Sequence, residues 1–140
     1  STTISKLLLS SGLDQEIVKR AKAGMPLWGS CAGAILMAKK VHSLVPLETT
    51  LGLLDLEIER NSYGRQTESF QVELEWSGRK FPVFFIRAPR IIHTGRFENV
   101  LLRHEKDPVM VQRKNLLAST FHSELQYPNF VLEHFLTLLS

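Results

Sequence analysis

The sequence predicts an α/β layered domain, and three observations carry that prediction. Apolar residues near the start recur at helical spacing, the middle and rear hold alternating or continuous apolar runs, and the last dozen residues return to helical spacing. With 140 residues, 44% of them hydrophobic, the chain has the size of one domain and can bury a substantial core.

Ile4-Ser5-Lys6-Leu7-Leu8-Leu9 begins a short helix that Gly12 ends. Gln15 to Ala23 forms a second, closed by Gly24, because glycine accepts the left-handed backbone that often terminates a helix. Pro26 to Trp28, in the apolar run Met25-Pro26-Leu27-Trp28, reads as a buried strand, and residues 32–41 read as a helix. From Leu53 the period changes. Leu54, Leu56 and Ile58 alternate with Asp55, Glu57 and Glu59, as in a half-buried strand. Phe70, Val72, Leu74 and Trp76 alternate likewise with Gln71, Glu73 and Glu75. Gly78 marks a turn into Phe81-Pro82-Val83-Phe84-Phe85-Ile86, a continuous apolar strand expected to be covered on both faces. Val100 to Leu102, Val109 to Gln112 and Leu116 to Phe121 supply further short strands. Phe130, Val131, Phe135, Leu138 and Leu139 place one face of a C-terminal helix on the core. No strand precedes the first helix, whereas open α/β domains usually begin with one, so the expectation is a sheet lacking its N-terminal strands.

Several function classes are disfavoured. A single cysteine forbids an internal disulfide and a four-cysteine zinc site, which fits a reducing, cytoplasmic setting. No run approaches the length of a membrane span, and no signal peptide opens the sequence. Seventeen basic against fourteen acidic residues give a net charge of +3. The basic residues are scattered and not interleaved with stacking aromatics, which argues against nucleic acid.

The single cysteine, Cys31, sits in Gly29-Ser30-Cys31-Ala32-Gly33, between the strand and the helix. A sharp strand-to-helix turn with small neighbours lifts a nucleophile over the end of a sheet. Gly29 and Gly33 are expected to leave room for that backbone. A thiolate at the helix start would have its pKa lowered by the unpaired N–H groups. The alternative is a buried structural cysteine.

A nucleophilic thiol needs a base, and His42, His93, His104, His122 and His134 are the candidates. His122 follows an apolar strand and stands two residues from Glu124, on the same side of an extended strand end. Glu124 could hold one ring nitrogen and leave the other for the thiol, giving the order Cys, His, Glu. A surface ion pair is the bland alternative, and a metal site would want a third ligand. His134 reads as a packing residue, His42 as the end of a helix, and His93 and His104 lack an acidic partner at suitable spacing.

Together these segments resemble the class I (triad-type) glutamine amidotransferases, and within that group the glutaminase subunit of pyridoxal 5'-phosphate synthase. Gly29-Ser30-Cys31-Ala32-Gly33 is similar to the group's nucleophile elbow, and Thr120-Phe121-His122-Ser123-Glu124-Leu125 to its Phe-His-Pro-Glu-Leu box. Glu59-Arg60-Asn61-Ser62-Tyr63-Gly64-Arg65-Gln66, Glu68-Ser69-Phe70 and Phe85-Ile86-Arg87-Ala88-Pro89 resemble segments particular to the vitamin B6 glutaminase. Ser1-Thr2-Thr3 looks like the tail of its Pro-Gly-Gly-Glu-Ser-Thr-Thr loop.

The resemblance implies a flavodoxin-like three-layer sheet and one glutaminase domain over residues 1–140, truncated at the N-terminus relative to the family. It implies Cys31 as nucleophile, His122 as general base and acid, and Glu124 as the residue that orients it. Ser1, Arg60, Ile86 and Arg87 would meet glutamine, and the Ala32 N–H would serve the oxyanion. The reaction implied is hydrolysis of L-glutamine to glutamate and ammonia, without cofactor or metal, with ammonia passing to a partner barrel subunit. Two departures stand out. Ser123 occupies the family's proline position, and the Gly-Gly loop that supplies a second oxyanion donor lies before Ser1. Losing one such donor costs on the order of 100- to 1000-fold in rate. Hence a second expectation is a catalytically inactive subunit that docks on the synthase and modulates it. A related cysteine hydrolase or another pathway's glutaminase is a third.

Overall fold

Two short helices open the described chain, which the computed structural model covers at residues 2–44, 47, 49–60, 69–125 and 128–139. They are α1, Thr2–Ser11, and α2, Leu13–Lys22. Gly12 joins them at φ 75, a backbone that glycine adopts without steric cost. The buried Ser5 hydroxyl donates to the Thr49 carbonyl and accepts the Thr49 N–H, both at 2.8 Å, which pins α1 to the segment just before Leu54.

The next elements are β1, Leu27–Ser30, α3, Ala32–Met37, and β2, Ala38–His42. The expected helix over residues 32–41 therefore ends four residues early. Ala38 turns to φ −72, ψ 154, and β2 pairs in parallel with β3, Leu54–Glu59. Strand pairing overrides the local helical pattern there, and His42 ends a strand, not a helix.

The remaining elements are β4, Ser69–Trp76; β5, Arg79–Ile86; β6, Arg90–Thr94; β7, Asn99–His104; β8, Asp107–Arg113; β9, Leu116–Ser119; and α4, Phe130–Thr137. Among the described residues they form a four-stranded sheet in the order β1-β9-β8-β7, a three-stranded sheet β2-β3-β6, and the hairpin β4-β5. β1 and β9 run parallel, with Leu27 beside Leu116 and Ser30 beside Ser119.

The four-stranded sheet is the middle layer, because alternate side chains of β9 enter different cores. Leu116 and Ala118 pack with Ala34, Ile35, Leu54 and Ile58, on the side of α3 and the second sheet. Leu117 packs with Val83, Phe85, Phe121 and Val131, on the side of β5 and α4. Period-two alternation of strand side chains forces this separation.

Three readings of detail change. β5 buries Phe81, Val83 and Phe85 but exposes Pro82 and Ile86, so it is covered on one face and alternates. β6 has no counterpart in the sequence reading; it forms because Arg90 to Thr94 pair antiparallel with β3. Leu139, expected in the core, is 60% exposed, whereas Val131 is fully buried and Phe130, Phe135 and Leu138 pack at the core's edge.

Candidate active site

Cys31 stands where β1 ends and α3 begins, at φ 54 and ψ −106. That left-handed backbone is costly for a residue with a side chain, on the order of 1–3 kcal/mol, and it persists only where the surroundings impose it. Here they do. The Cys31 N–H donates to the Ser119 carbonyl at 2.8 Å, and its own carbonyl accepts the Ile35 N–H at 3.3 Å. Gly29 makes the turn possible, because a Cβ there would lie 2.5 Å from the Gly33 carbonyl oxygen and 2.6 Å from Met37 Sδ. Gly33 differs from expectation: a Cβ there would meet nothing within 4 Å, so it is the backbone of Gly33, and not its missing side chain, that crowds the turn.

His122 follows the neighbouring strand β9. Its N–H donates to the Phe84 carbonyl at 2.9 Å, one backbone bridge between β5 and the segment after β9. The Ser30 hydroxyl donates to the Phe121 carbonyl at 3.2 Å, joining the residue before the cysteine to the residue before the histidine. Since β1 and β9 are adjacent and parallel, Cys31 and His122 leave the sheet at the same edge. His122 Nδ1 lies 2.5 Å from Glu124 Oε1, as the spacing suggested, although Glu124 sits in a turn and not on a strand.

The electrostatics correct one expectation. Burial pushes the Cys31 thiol above its usual pKa, the Ala32 N–H opposes this, and the Glu124 carboxylate adds to the rise. Desolvation therefore outweighs the start of a six-residue helix. Glu124 itself is held below the usual carboxylate range. Partial burial works against its charge, but hydrogen bonds from His122 and from its own backbone N–H, with the imidazole's charge, prevail.

The other expected site residues divide. Ala32 lies beside the thiol. Ile86 ends β5 and Arg87 follows it, just beyond the Phe84–His122 bridge, with Arg87 exposed at φ 47. Arg60 follows β3, its N–H bonded to the His42 carbonyl at 2.9 Å and its guanidinium to the Ser43 hydroxyl at 3.2 Å. Ser1 and residues 61–68 lie outside the described residues.

Four positioning groups escaped sequence reasoning: the Ser119 and Phe84 carbonyls, the Ser30 hydroxyl and the Trp28 indole, which donates to Ser119 Oγ at 3.0 Å. A serine directly before the candidate nucleophile was the one visible hint. The remaining histidines are accounted for by structure. His134 meets Gln112 at 2.5 Å and the Trp76 ring at 5.0 Å between centroids. His42 meets Glu57 at 2.5 Å, His93 lies opposite Glu57 across β3 and β6, and His104 packs on Phe70 and Phe85. An acidic neighbour for His93 exists after all, supplied by strand register and invisible in spacing. Among the described residues no group of three or more His, Cys, Asp or Glu side chains is placed to hold a metal, and no helix is long and apolar enough to cross a membrane.

A layered α/β fold with a cysteine on a strained strand-to-helix turn is the architecture of the class I glutamine amidotransferases. A solved structure described as a glutamine amidotransferase superposes with a TM-score of 0.90 at 42% identity, covering 98% of this chain and 73% of that one. A Thermoplasma acidophilum protein described as a putative GMP synthase component shares the fold at 15% identity, with a TM-score of 0.63 over 89% of this chain and 63% of that one. Residues 1–138 match the SNO glutamine amidotransferase family, and the chain belongs to it. The pyridoxal 5'-phosphate synthase subunit PdxT of Thermotoga neapolitana is 44% identical over 128 residues, covering 89% of this chain and 67% of that protein. The PdxT protein of Archaeoglobus fulgidus is 45% identical over 142 residues, covering 99% and 71%.

Proposed function

We propose that this protein is the glutaminase subunit of a pyridoxal 5'-phosphate synthase, hydrolysing L-glutamine and supplying ammonia to a partner synthase subunit in the cytoplasm. Its membership of the family and its PdxT relatives support the reading. One observation carries the chemistry: the strained Cys31 turn and the His122–Glu124 pair leave the same edge of two adjacent parallel strands.

Cys31 Sγ attacks the side-chain carbonyl carbon of glutamine. Because burial keeps the thiol protonated, the thiolate forms as the proton passes to His122, whose other nitrogen Glu124 holds. The Ala32 N–H stabilises the oxyanion. His122 returns the proton to the departing ammonia, leaving a thioester, and water then releases glutamate and restores the thiol. Arg60, Ile86 and Arg87, with Ser1, hold glutamine, and residues 1–140 form one glutaminase domain. An enclosed path to a barrel-shaped partner keeps ammonia unprotonated and nucleophilic.

Glutamate release from glutamine, measured with and without the synthase subunit, tests this. Release that rises when the partner is added is expected, and none in either condition overturns it.

A further inference from the structure

A cleft of about 850 Å³ opens at the opposite end of the sheet from Cys31. Its lining includes Leu116, which starts β9, Asn115 just before it, and Lys39 near the start of β2. Cys31 follows the far end of β1, so roughly one strand length, ~13 Å, separates the two sites.

The lining is charged in one sense. Lys22 comes from the last turn of α2, Lys39 from β2 and Lys114 from the turn between β8 and β9. All three are exposed, and none takes part in an ion pair among the described residues. No carboxylate lines the cleft among those residues. Arg113, also in the wall, is fixed: it pairs with the buried Glu98 at 2.7 Å and donates to the Leu53 carbonyl. The floor is thus rigid and near neutral, and three exposed lysines from separate elements line the cleft around it. Three cations with no carboxylate among the lining residues favour an anion there.

The apolar part of the wall narrows the class. Leu53 and Leu116 form a buried base, and Phe97 stands 73% exposed at the rim with the Arg96 guanidinium 4.8 Å from its ring centre. An exposed aromatic beside cationic groups suits a ligand with a ring or apolar body and an anionic head. A cleft of this volume matches a small molecule, since such pockets span about 300–1,000 Å³.

We propose that this cleft binds a small phosphorylated molecule, its phosphate held by Lys22, Lys39 and Lys114 and its apolar part resting against Phe97. The site is separate from the glutamine chemistry and does not depend on it.

Titration of the protein with phenyl phosphate, and separately with inorganic phosphate, at constant ionic strength tests the assignment by amide NMR shifts at Gly52, Asn99 and Asn115. Saturable shifts are expected, with phenyl phosphate the tighter ligand. Lys39→Gln combined with Lys114→Gln should weaken binding about tenfold or more, the scale of losing charge-assisted hydrogen bonds. Phe97→Ala should erase the preference for phenyl phosphate over phosphate. An unchanged far-UV spectrum and an unchanged Cys31 alkylation rate show that these variants remain folded. The proposal is overturned by shifts that do not saturate, that chloride reproduces, or that survive the lysine substitutions. Binding of a polyglutamate peptide without binding of phenyl phosphate also overturns it, in favour of an acidic protein segment.

Discussion

The backbone N–H of Cys31 donates to the Ser119 carbonyl at 2.8 Å, which fastens the turn after β1 to the strand that leads to His122. Cys31 and His122, the proposed nucleophile and base, are thereby held by one pair of adjacent strands. The geometry of each depends on the other's strand, and perturbations of the turn should be felt at both.

Gly29→Ala tests the crowding beneath that turn. The added methyl would meet the Gly33 backbone at 2.5 Å and Met37 Sδ at 2.6 Å, and the backbone contact cannot relax by a rotamer change. A loss of about 3 kcal/mol in chemical denaturation is expected, the upper range for overpacking. Gly33→Ala, with no neighbour within 4 Å, should lose far less. Equal losses would contradict the account.

Ser123 is fully buried between His122 and Glu124, and its hydroxyl has no hydrogen-bond partner among the described residues. An unpaired buried hydroxyl costs on the order of 1–3 kcal/mol. Ser123→Ala should therefore leave stability unchanged or raise it by up to about 1 kcal/mol. A clear loss of stability would mean that the hydroxyl has a partner.

These contacts also show what could be read from residues alone. The elbow at Cys31 was legible because glycine, serine and cysteine constrain their own backbone, and the His122–Glu124 contact because its spacing is local. β2 was not legible. Residues 38–41 continue a helical pattern and become a strand only by pairing with β3. β6 was hidden for the same reason, and so was the meeting of His93 with Glu57. The direction of the Cys31 pKa shift was misjudged because sequence reveals the helix start but not how deeply the thiol is buried. Of the segments that narrowed the family, residues 61–68 lie outside the described ones, whereas Glu59, Arg60, Ser69, Phe70 and residues 85–89 lie within them.

Glu124 raises the Cys31 pKa through its negative charge, adding to the larger effect of burial. Glu124→Gln removes that charge. The pH at which Cys31 reacts half-maximally with iodoacetamide should fall in the variant, while remaining above that of an unperturbed cysteine because burial persists. A midpoint that stays put or rises would show that Glu124 does not act on the thiol.

His134 gives the fold a pH dependence. Burial lowers its pKa, so the unfolded chain binds more protons there than the folded one. Its contribution is whole above the ordinary histidine pKa and declines as pH falls from that value through the lower folded one. Its neighbours Gln112 and Trp76 are neutral and do not offset the charge. The denaturation midpoint should drop between pH 7.5 and pH 5.5, a window set around the ordinary pKa of about 6.5. His134→Gln, which can still donate to Gln112, should show a smaller drop. An identical drop in both proteins would exclude His134 as a source.

The central claim is that Cys31 is the nucleophile, and Cys31→Ser in complex with the partner synthase tests it most directly. Glutamate release should fall by roughly a thousandfold or more, in line with loss of a covalent nucleophile, while the complex still assembles. Full glutamine hydrolysis by the Cys31→Ser protein would contradict the account.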